Sequence, residues 1–191
     1  FISANVTSAK VTSFTVENSV VTNVNTNAGA DFIDFRNTYI ANIVLKNSTF
    51  NTCSSGRDFV RVDAASGLTG TGLTTNVSID ACTIFNRNMT ASNRILYVRF
   101  VNNVLKVTNT LFETPLATYT NQPATSAPTF LNNNYFNSAG LHNAGGTNVK
   151  WDASGTFGTL DPQFKNSAAG DFTVGNQTIK DKKIGDPQWR Q

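Results

Sequence analysis

The sequence predicts an all-β fold, and three observations support this class. The chain has 191 residues, 39% of them hydrophobic, which is long enough for one domain with a buried core. Thr, Val, Ile and Phe, which favour strands, are common, whereas the helix-forming Leu, Glu and Lys are scarce. Apolar and polar residues alternate over short segments, as expected for strands with one buried face.

The low charge excludes several classes of protein. Only 14% of the residues are charged and the net charge is +3, while 25 Asn and 26 Thr supply much of the polarity. Fifteen basic against 12 acidic residues do not make a nucleic-acid footprint. No apolar run reaches the length of a membrane-spanning helix, and the 10% aromatic content is unlike that of a disordered chain.

One pattern recurs along the chain: apolar, any, apolar, any, Asn, small, any, apolar. Its Asn position recurs every 24 to 34 residues, a drifting period typical of stacked repeats joined by variable loops. Ala81 replaces Asn in the third repeat. The Asn-position residues are Asn18, Asn47, Ala81, Asn109 and Asn133.

Stacking these repeats predicts columns of equivalent residues on neighbouring parallel strands. Charges in the outward columns would then alternate in sign, which neighbouring strands favour. The first strand family gives inward columns of Phe14, Ile43, Val77, Leu105, Thr129 and of Val16, Leu45, Ile79, Val107, Leu131, with an outward column of Glu17, Lys46, Asp80, Thr108, Asn132. A second family gives outward columns of Asp34, Arg61, Tyr97 and of Arg36, Asp63, Arg99.

Together these columns predict a right-handed parallel β-helix, a solenoid of about six or seven coils. The coils occupy residues 1–137. Residues 138–191, where Gly and Asp-Pro turns replace the strand pattern, form a C-terminal capping segment of the same structural unit. The recurrent asparagines are expected to face inward and to stack as a hydrogen-bonded ladder, interrupted at Ala81.

The remaining motifs indicate no catalytic chemistry. Cys53 and Cys82 lack metal-site spacing and fall in different columns, so we expect two small buried side chains, with one disulfide as the alternative. His142 lies in a Gly/Asn-rich stretch and is predicted to be a solvated loop residue. Residues 67–72 are glycine-rich but lack the Lys-Ser/Thr of a phosphate loop, which favours a flexible connection.

Three parts of the sequence resemble a known family. These are DFIDFRNTYIANIVLKNSTFN at residues 31–51, RDFVRVDA at residues 57–64, and the ending DPQF…GDFTV…IGDPQW from residue 161. They resemble an uncharacterised β-helix family of Bacteroides-type surface lipoproteins, similar in architecture to pectate lyases. The resemblance implies export to the cell surface and glycan-related work, but it supplies no reaction, since fold similarity does not transfer activity.

The outward residues of the second strand family are the candidate carbohydrate-binding site. Arginine grips carboxylates and sulfates bidentately, and an aromatic face can stack on a sugar ring. The alternative is a purely structural role, in which these charged residues form ion pairs with one another between neighbouring coils. Trp151 is a second aromatic candidate, with packing as the alternative. The candidate residues are Arg36, Arg61, Asp63, Tyr97 and Arg99.

No catalytic residue can be assigned from the sequence. The near carboxylate pairs, Asp31 with Asp34 and Asp58 with Asp63, lie among arginines, which favours charge ladders over the paired acids of a glycosidase. There is no acidic cluster for a metal, so no cofactor is expected. Ca²⁺ would be needed only if the protein were a polysaccharide lyase.

The predicted function is that of an exported cell-surface protein that binds polysaccharide, or serves as a structural display module, without catalysis. The alternative is a polysaccharide lyase that acts on an acidic glycan with Arg61 or Arg99 as its base. The expected partner is a glycan, and neither nucleic acid nor a membrane-spanning segment is expected. A larger parent chain or surface complex, with a functional groove preceding Phe1, stays open.

Overall fold

The computed structural model describes residues 1–26, 29–63, 68 and 70–191. Within these ranges most of the chain folds into three parallel sheets. The first sheet contains β1 (Ile2–Ala4), β4 (Ile33–Phe35), β7 (Val60–Val62) and β10 (Leu96–Val98). The second contains β2 (Lys10–Glu17), β5 (Tyr39–Lys46), β8 (Thr75–Asp80), β11 (Asn103–Thr108) and β13 (Thr129–Leu131). The third contains β3 (Val20–Thr22), β6 (Thr49–Asn51), β9 (Thr83–Phe85), β12 (Leu111–Glu113) and β14 (Asn134–Tyr135).

Consecutive strands lie in different sheets. The chain visits the first, second and third sheets in turn, so that β2 pairs with β5, β5 with β8 and β8 with β11, all in parallel. We call each passage through the sheets a tier, the first being β1 to β3. The fifth tier has β13 and β14 but no strand in the first sheet within the described residues.

The structure corrects the predicted fold. The all-β class is right, but the prediction of one right-handed parallel β-helix of six or seven coils is wrong. The described strands form three separate parallel sheets of four, five and five strands that lie side by side, and none of these sheets closes or curls on itself. Six or seven repeats would fill the whole chain, but the repeating parallel strands end at Tyr135 and form only five tiers.

The three parallel sheets enclose one apolar core. Each sheet contributes alternate residues whose side chains point inward, and large aromatic rings fill the space between them. Phe32 stacks on Phe59 with ring centroids 5.0 Å apart, and Phe50 meets Phe59 edge to face at 5.4 Å. All three rings are fully buried, so the interior holds side chains and leaves the outward residues as the candidates for binding.

The predicted register is right for four of the five repeats. Glu17 lies opposite Lys46, and Lys46 opposite Asp80. In the fifth repeat Lys106, and not Leu105, lies opposite Thr129. This shift of one residue exchanges the faces of the strand: Phe130 packs inward, with its ring 4.8 Å from that of Tyr119, while Leu131 is 51% exposed.

The asparagine column has a different cause from the one predicted. Its members are Asn18, Asn47, Ala81, Asn109 and, after the register shift, Asn132, and all have left-handed φ values of 46 to 54°. Asn tolerates this conformation better than most non-glycine residues. Among the described residues only the Asn132 amide donates to that of Asn109, at 2.9 Å. The column therefore marks the bend between the second and third sheets and is not a continuous ladder.

The next position along each bend carries the buried polar contacts that the sequence reasoning missed. The Ser48 hydroxyl accepts from the Ser19 N–H at 3.1 Å, and the Asn133 amide oxygen accepts from the Thr110 N–H at 3.0 Å. Each of these side chains belongs to the tier after the one whose backbone it binds. Small polar residues recur here because they pair backbone groups that would otherwise be buried without a partner.

Residues 138–191 pack against two surfaces of the stacked tiers. Before residue 160, His142 and Phe157 cover the end of the stack and lie 5.6 and 5.7 Å from the Tyr135 ring, measured between centroids. His142 is therefore half-buried against aromatic rings and not the solvated residue predicted from its loop. Of the glycine-rich stretch 67–72, Gly67 and Thr69 lie outside the described residues.

The rest of the tail lies along the outer face of the third sheet. It contains the antiparallel pair β15 (Phe164–Asn166) and β16 (Asp171–Val174), followed by the short helix α1 (Gln177–Asp181). Val174, Ile179 and Ile184 form a second apolar cluster with the outward Leu111 of β12. We refer to residues 161–191 as the tail strap, because it is joined to strands of several tiers.

Candidate binding site

Three buried aspartates organise the outer edge of the first sheet. Asp31, Asp34 and Asp58 are at most 4% exposed. The Asp34 carboxylate accepts the Asp31 N–H at 3.0 Å, Asp31 accepts the Asp58 N–H at 2.9 Å, and Asp58 accepts the Arg94 N–H at 2.8 Å. Such charge-assisted bonds are stronger than neutral ones, so these carboxylates hold neighbouring tiers in place.

The same carboxylates bind arginines. Arg94 grips Asp58 with two nitrogens, at 2.9 and 3.0 Å. Arg61 donates to Asp63 at 2.8 Å and to Asp31 at 3.3 Å. The other ion pairs of this network are Arg36 with Asp34 at 2.9 Å, Arg36 with Asp31 at 3.5 Å and Arg99 with Asp63 at 3.7 Å. The carboxylates expected as near pairs are thus occupied by guanidinium and backbone donors, which leaves them poorly placed to act as acid and base.

Tyr97 lies against two of these arginines. The guanidinium carbons of Arg94 and Arg61 are 4.3 and 5.1 Å from the centroid of its ring, within the range of cation–π attraction. The ring therefore helps to hold the two guanidinium groups in position. Stacking of this ring on a sugar stays a prediction.

The hydrogen bond to Asp63 raises the pKa of Arg61 above its usual value, and the nearby charges of Asp63 and Asp31 add to this effect. Desolvation acts in the opposite direction but is smaller than the hydrogen-bond contribution. A general base must give up its proton near neutral pH, and a raised pKa makes this harder. The environment of Arg61 therefore suits a fixed cation and not a proton acceptor.

A polar cavity of about 230 Å³ opens beside this network, and we call it the arginine pocket. Of the sequence-predicted residues, Arg61 and Tyr97 line it, whereas Arg36, Asp63 and Arg99 lie in the adjoining network. Reasoning from strand columns missed the residues that precede the strands. The lining consists of Asp31, Gly56, Arg57, Asp58, Arg61, Ser92, Asn93, Arg94 and Tyr97.

Arg57 differs from the other arginines of the pocket. No carboxylate in the described part of the chain forms an ion pair with it, and its Nη2 atom lies beside Gly29. The pocket and its network hold five arginines against four aspartates: Arg36, Arg57, Arg61, Arg94 and Arg99, and Asp31, Asp34, Asp58 and Asp63. The resulting excess of one positive charge resides on a half-buried side chain that faces the cavity.

Other candidate groups do not assemble with this pocket. Cys53 and Cys82 are free and buried, and burial raises the pKa of both thiols from 9.0 to about 12. Trp151 lies instead on a separate, mainly apolar cavity with Ala127 and Val149. Over the described residues, no cluster of three or more His, Cys, Asp or Glu side chains has the arrangement of a metal site.

The fold and site describe an all-β protein with stacked parallel strands and an arginine-rich outer edge. The family described as Domain of unknown function (DUF5123) matches residues 77–189, which is more than half of the chain, and the chain belongs to that family. A search of curated proteins returns no match, and neither does a search of solved structures. Among the described helices, none combines the length and hydrophobicity needed to span a bilayer.

Proposed function

We propose that this protein binds saccharides that carry a carboxylate or sulfate group, and that it does so without catalysing their breakdown. The observation that carries the proposal is Arg57, a guanidinium on a polar cavity of about 230 Å³ that forms no ion pair within the described residues. An oxyanion there would receive two parallel hydrogen bonds from the guanidinium fork. Asn93 lines the same cavity; its amide oxygen already accepts from the Thr90 N–H and hydroxyl, so its amide nitrogen is the neutral donor suited to a sugar hydroxyl.

The surrounding network supports this proposal because it fixes the shape of the pocket. Arg94 is bound by two hydrogen bonds to Asp58, and Arg61 is bound by Asp63 and Asp31. Side chains that are already ordered lose little entropy on binding. The paired arginines hold the walls of the pocket in place, while Arg57 supplies the one positive charge that no aspartate of the described network balances.

The lyase alternative receives less support. It requires Arg61 or Arg99 to accept a proton, but Asp63 binds both guanidinium groups and raises the pKa of Arg61. A carboxylate partner stabilises the protonated form of arginine. The proposed role of these two arginines is therefore electrostatic.

Binding can be tested with a panel of immobilised glycans that carry uronate groups, sulfate groups or neither. We expect retention of the anionic glycans only, with the uronate and sulfate arms showing which oxyanion is preferred. Arg57→Gln should weaken binding by about tenfold, as for loss of a charged hydrogen bond of about 1.5 kcal/mol. Lys106→Gln, which removes a charge from the exposed outer face of β11, should leave binding unchanged.

Two results would contradict the proposal. Equal retention by the wild type and Arg57→Gln would show that the arginine pocket is not the site, and no retention of any glycan would favour the structural display role. Catalysis is tested separately, by ultraviolet absorbance of an unsaturated uronate product. Absorbance that appears with the wild type and is lost in Arg61→Ala or Arg99→Ala would establish the lyase alternative instead.

We further propose that the protein works outside the cell, at the outer surface, in a larger chain or complex. The support is the resemblance of residues 31–51 and of the ending to Bacteroides-type surface lipoproteins, together with a composition poor in charge and rich in Asn and Thr. Protease treatment of intact source cells tests this. Exposed protein should be removed by the protease, whereas full protection until lysis would contradict surface exposure.

A further inference from the structure

A second polar groove lies at the end of the third sheet. It consists of two cavities of about 450 and 210 Å³ that share Asn23 and Thr52. Strand ends of the first three tiers form one wall, and Ser167 to Gly170 of the tail strap forms the other. We call this the neutral groove, since none of the described residues that line either cavity is Asp, Glu, Lys or Arg. Its volume lies in the range of small-molecule sites.

Several polar groups of the neutral groove have no partner within the described residues. The Asn23 amide and the hydroxyls of Thr22 and Ser167 make no hydrogen bond there. Of the two ends of the Asn51 amide, the oxygen accepts a hydrogen bond from the Thr52 hydroxyl at 2.9 Å, and the nitrogen makes none. Asn23 has a left-handed φ of 55° and is exposed. Together these groups offer both donors and acceptors to a ligand.

The groove also has an apolar component. Phe85, which the tail strap covers down to 8% exposure, contributes its remaining exposed surface to the larger cavity beside Ala168 and Ala169. Arg87 covers the ring at 4.9 Å and Phe172 meets it at 5.1 Å, so the ring is held in a fixed orientation. Uncharged amide and hydroxyl groups around an apolar patch match the hydroxyls and C–H surfaces of a neutral sugar ring.

The neutral groove and the arginine pocket adjoin along the chain. Ser55 lines the smaller cavity of the groove, and the next residue, Gly56, lines the arginine pocket. From these placements we infer that the neutral groove binds uncharged sugar units of an oligosaccharide whose acidic unit occupies the arginine pocket. The inference rests on the proposed function for the position of the acidic unit, but the neutral groove can also be tested without it.

Titration calorimetry with three probes tests the inference. The probes are glucuronic acid, xylotriose, and aldotetraouronic acid, in which glucuronic acid is attached to three xylose units. If both sites act on one ligand, aldotetraouronic acid should bind at least about tenfold more tightly than glucuronic acid. The binding of glucuronic acid should depend on Arg57 and should not change when residues of the neutral groove are substituted.

Asn23→Gly removes the amide while keeping a residue that accepts the left-handed backbone. We expect it to weaken the binding of aldotetraouronic acid about fivefold, as for the loss of one or two hydrogen bonds. The affinity for glucuronic acid should not change. The matched control is Asn18→Gly, since Asn18 is also exposed and left-handed, at φ 51°, but precedes β3 where Asn23 follows it. Thr22→Val removes a second groove hydroxyl from a strand position that suits Val.

The outcomes separate this inference from the proposed function. Equal affinities for glucuronic acid and aldotetraouronic acid, or no effect of Asn23→Gly and Thr22→Val, would overturn the role of the neutral groove even if Arg57→Gln abolishes binding. Binding of xylotriose that Asn23→Gly weakens, together with no Arg57-dependent binding of glucuronic acid, would uphold the groove while the proposed acidic site fails. No binding of any probe would overturn both.

Discussion

The first and third sheets are built from the same kind of short parallel strand, yet their outer faces differ. The first sheet presents aspartates and arginines, which pair with one another across tiers, as Arg61 does with Asp31. The third presents Thr49, Thr83, Phe85 and Leu111, and the tail strap covers them. The comparison shows that the outward residues, and not the strands themselves, decide whether a face is left open or covered.

Polar contacts make the covered face specific. The Trp189 indole N–H donates to the Thr49 hydroxyl at 2.8 Å, and that hydroxyl donates to Asp186 at 2.7 Å. The Asp186 N–H in turn donates to the Thr83 hydroxyl at 3.1 Å. Two threonines of successive tiers thus position the strap, whereas on the first sheet the equivalent contacts run between the tiers themselves.

The largest effect is expected from breaking the charged network of the first sheet. Arg94→Ala leaves Asp58, which is 4% exposed, without its guanidinium partner. An uncompensated buried charge should lower the free energy of unfolding by about 3–5 kcal/mol. Urea unfolding measures this change. In the control Lys46→Ala, an exposed ion pair at 3.6 Å with Glu17 is lost, and the change should stay within about 0.5 kcal/mol. Equal effects of the two variants would contradict the structural role of the buried pair.

A slightly smaller effect is expected where the strap meets the third sheet. Ile179→Ala opens a cavity in the cluster formed with Leu111 and Ile184, at a cost of about 2–4 kcal/mol in unfolding free energy. Limited proteolysis should then cut within residues 161–191 earlier than in the wild type. Leu160→Ala, at a side chain that is 40% exposed, is the control, and faster cutting in that variant alone would refute the proposed packing.

The two thiols test whether the third sheet is closed on its inner side. Cys53 follows β6 and Cys82 precedes β9. Because burial raises both pKa values from 9.0 to about 12, the neutral thiol is favoured in the folded state. The resulting stabilisation is present below pH 9 and is lost as the pH rises towards 12, by roughly 1–2 kcal/mol per thiol at pH 10.

Alkylation and pH-dependent unfolding check this expectation. Native protein should resist iodoacetamide at pH 8 and react fully in denaturant. The double variant Cys53→Ala, Cys82→Ala should lose less stability between pH 8 and pH 10 than the wild type. Rapid alkylation of the native protein would contradict a closed inner face.

The smallest effect is expected at the bend between the second and third sheets. Ala81 has a φ of 50°, which disfavours a residue with a Cβ and no local polar contact. Ala81→Gly should therefore raise the free energy of unfolding by about 0.5–1 kcal/mol. Ala41→Gly, within strand β5, should lower the free energy of unfolding by a similar amount. If both variants are less stable than the wild type, position 81 is not strained.

The strand columns were predictable because they follow from alternation of side chains. The pairing of Asp34 with Arg61, and of Arg61 with Tyr97, is correct, since a strand with one buried face has only one workable register. The predicted register of the fifth repeat was wrong because the pattern allowed either Phe130 or Leu131 to face the core. The larger ring is the one that packs inward.

Only part of the lining of the arginine pocket was predictable, and its role as a binding site stays a prediction. Arg61 and Tyr97 line the arginine pocket, but Arg57, Arg94 and Asn93 precede the strands and belong to no repeated strand position. Their convergence depends on how neighbouring tiers stack. The closing of the tail strap over the third sheet was equally hidden, because its contacts join residues more than 100 positions apart, as between Asp186 and Thr83.

That strap changes how the molecule is expected to unfold. Stacked repeats that touch only their neighbours can fray one at a time from an end. Here the strap reaches Thr49 in the second tier, Thr83 in the third, Asn109 in the fourth through the Gly185 N–H, and Asn132 in the fifth through the Lys182 carbonyl. Those tiers therefore gain a common fastening, and their backbone amides should exchange with solvent as one cooperative unit, with the first tier opening separately.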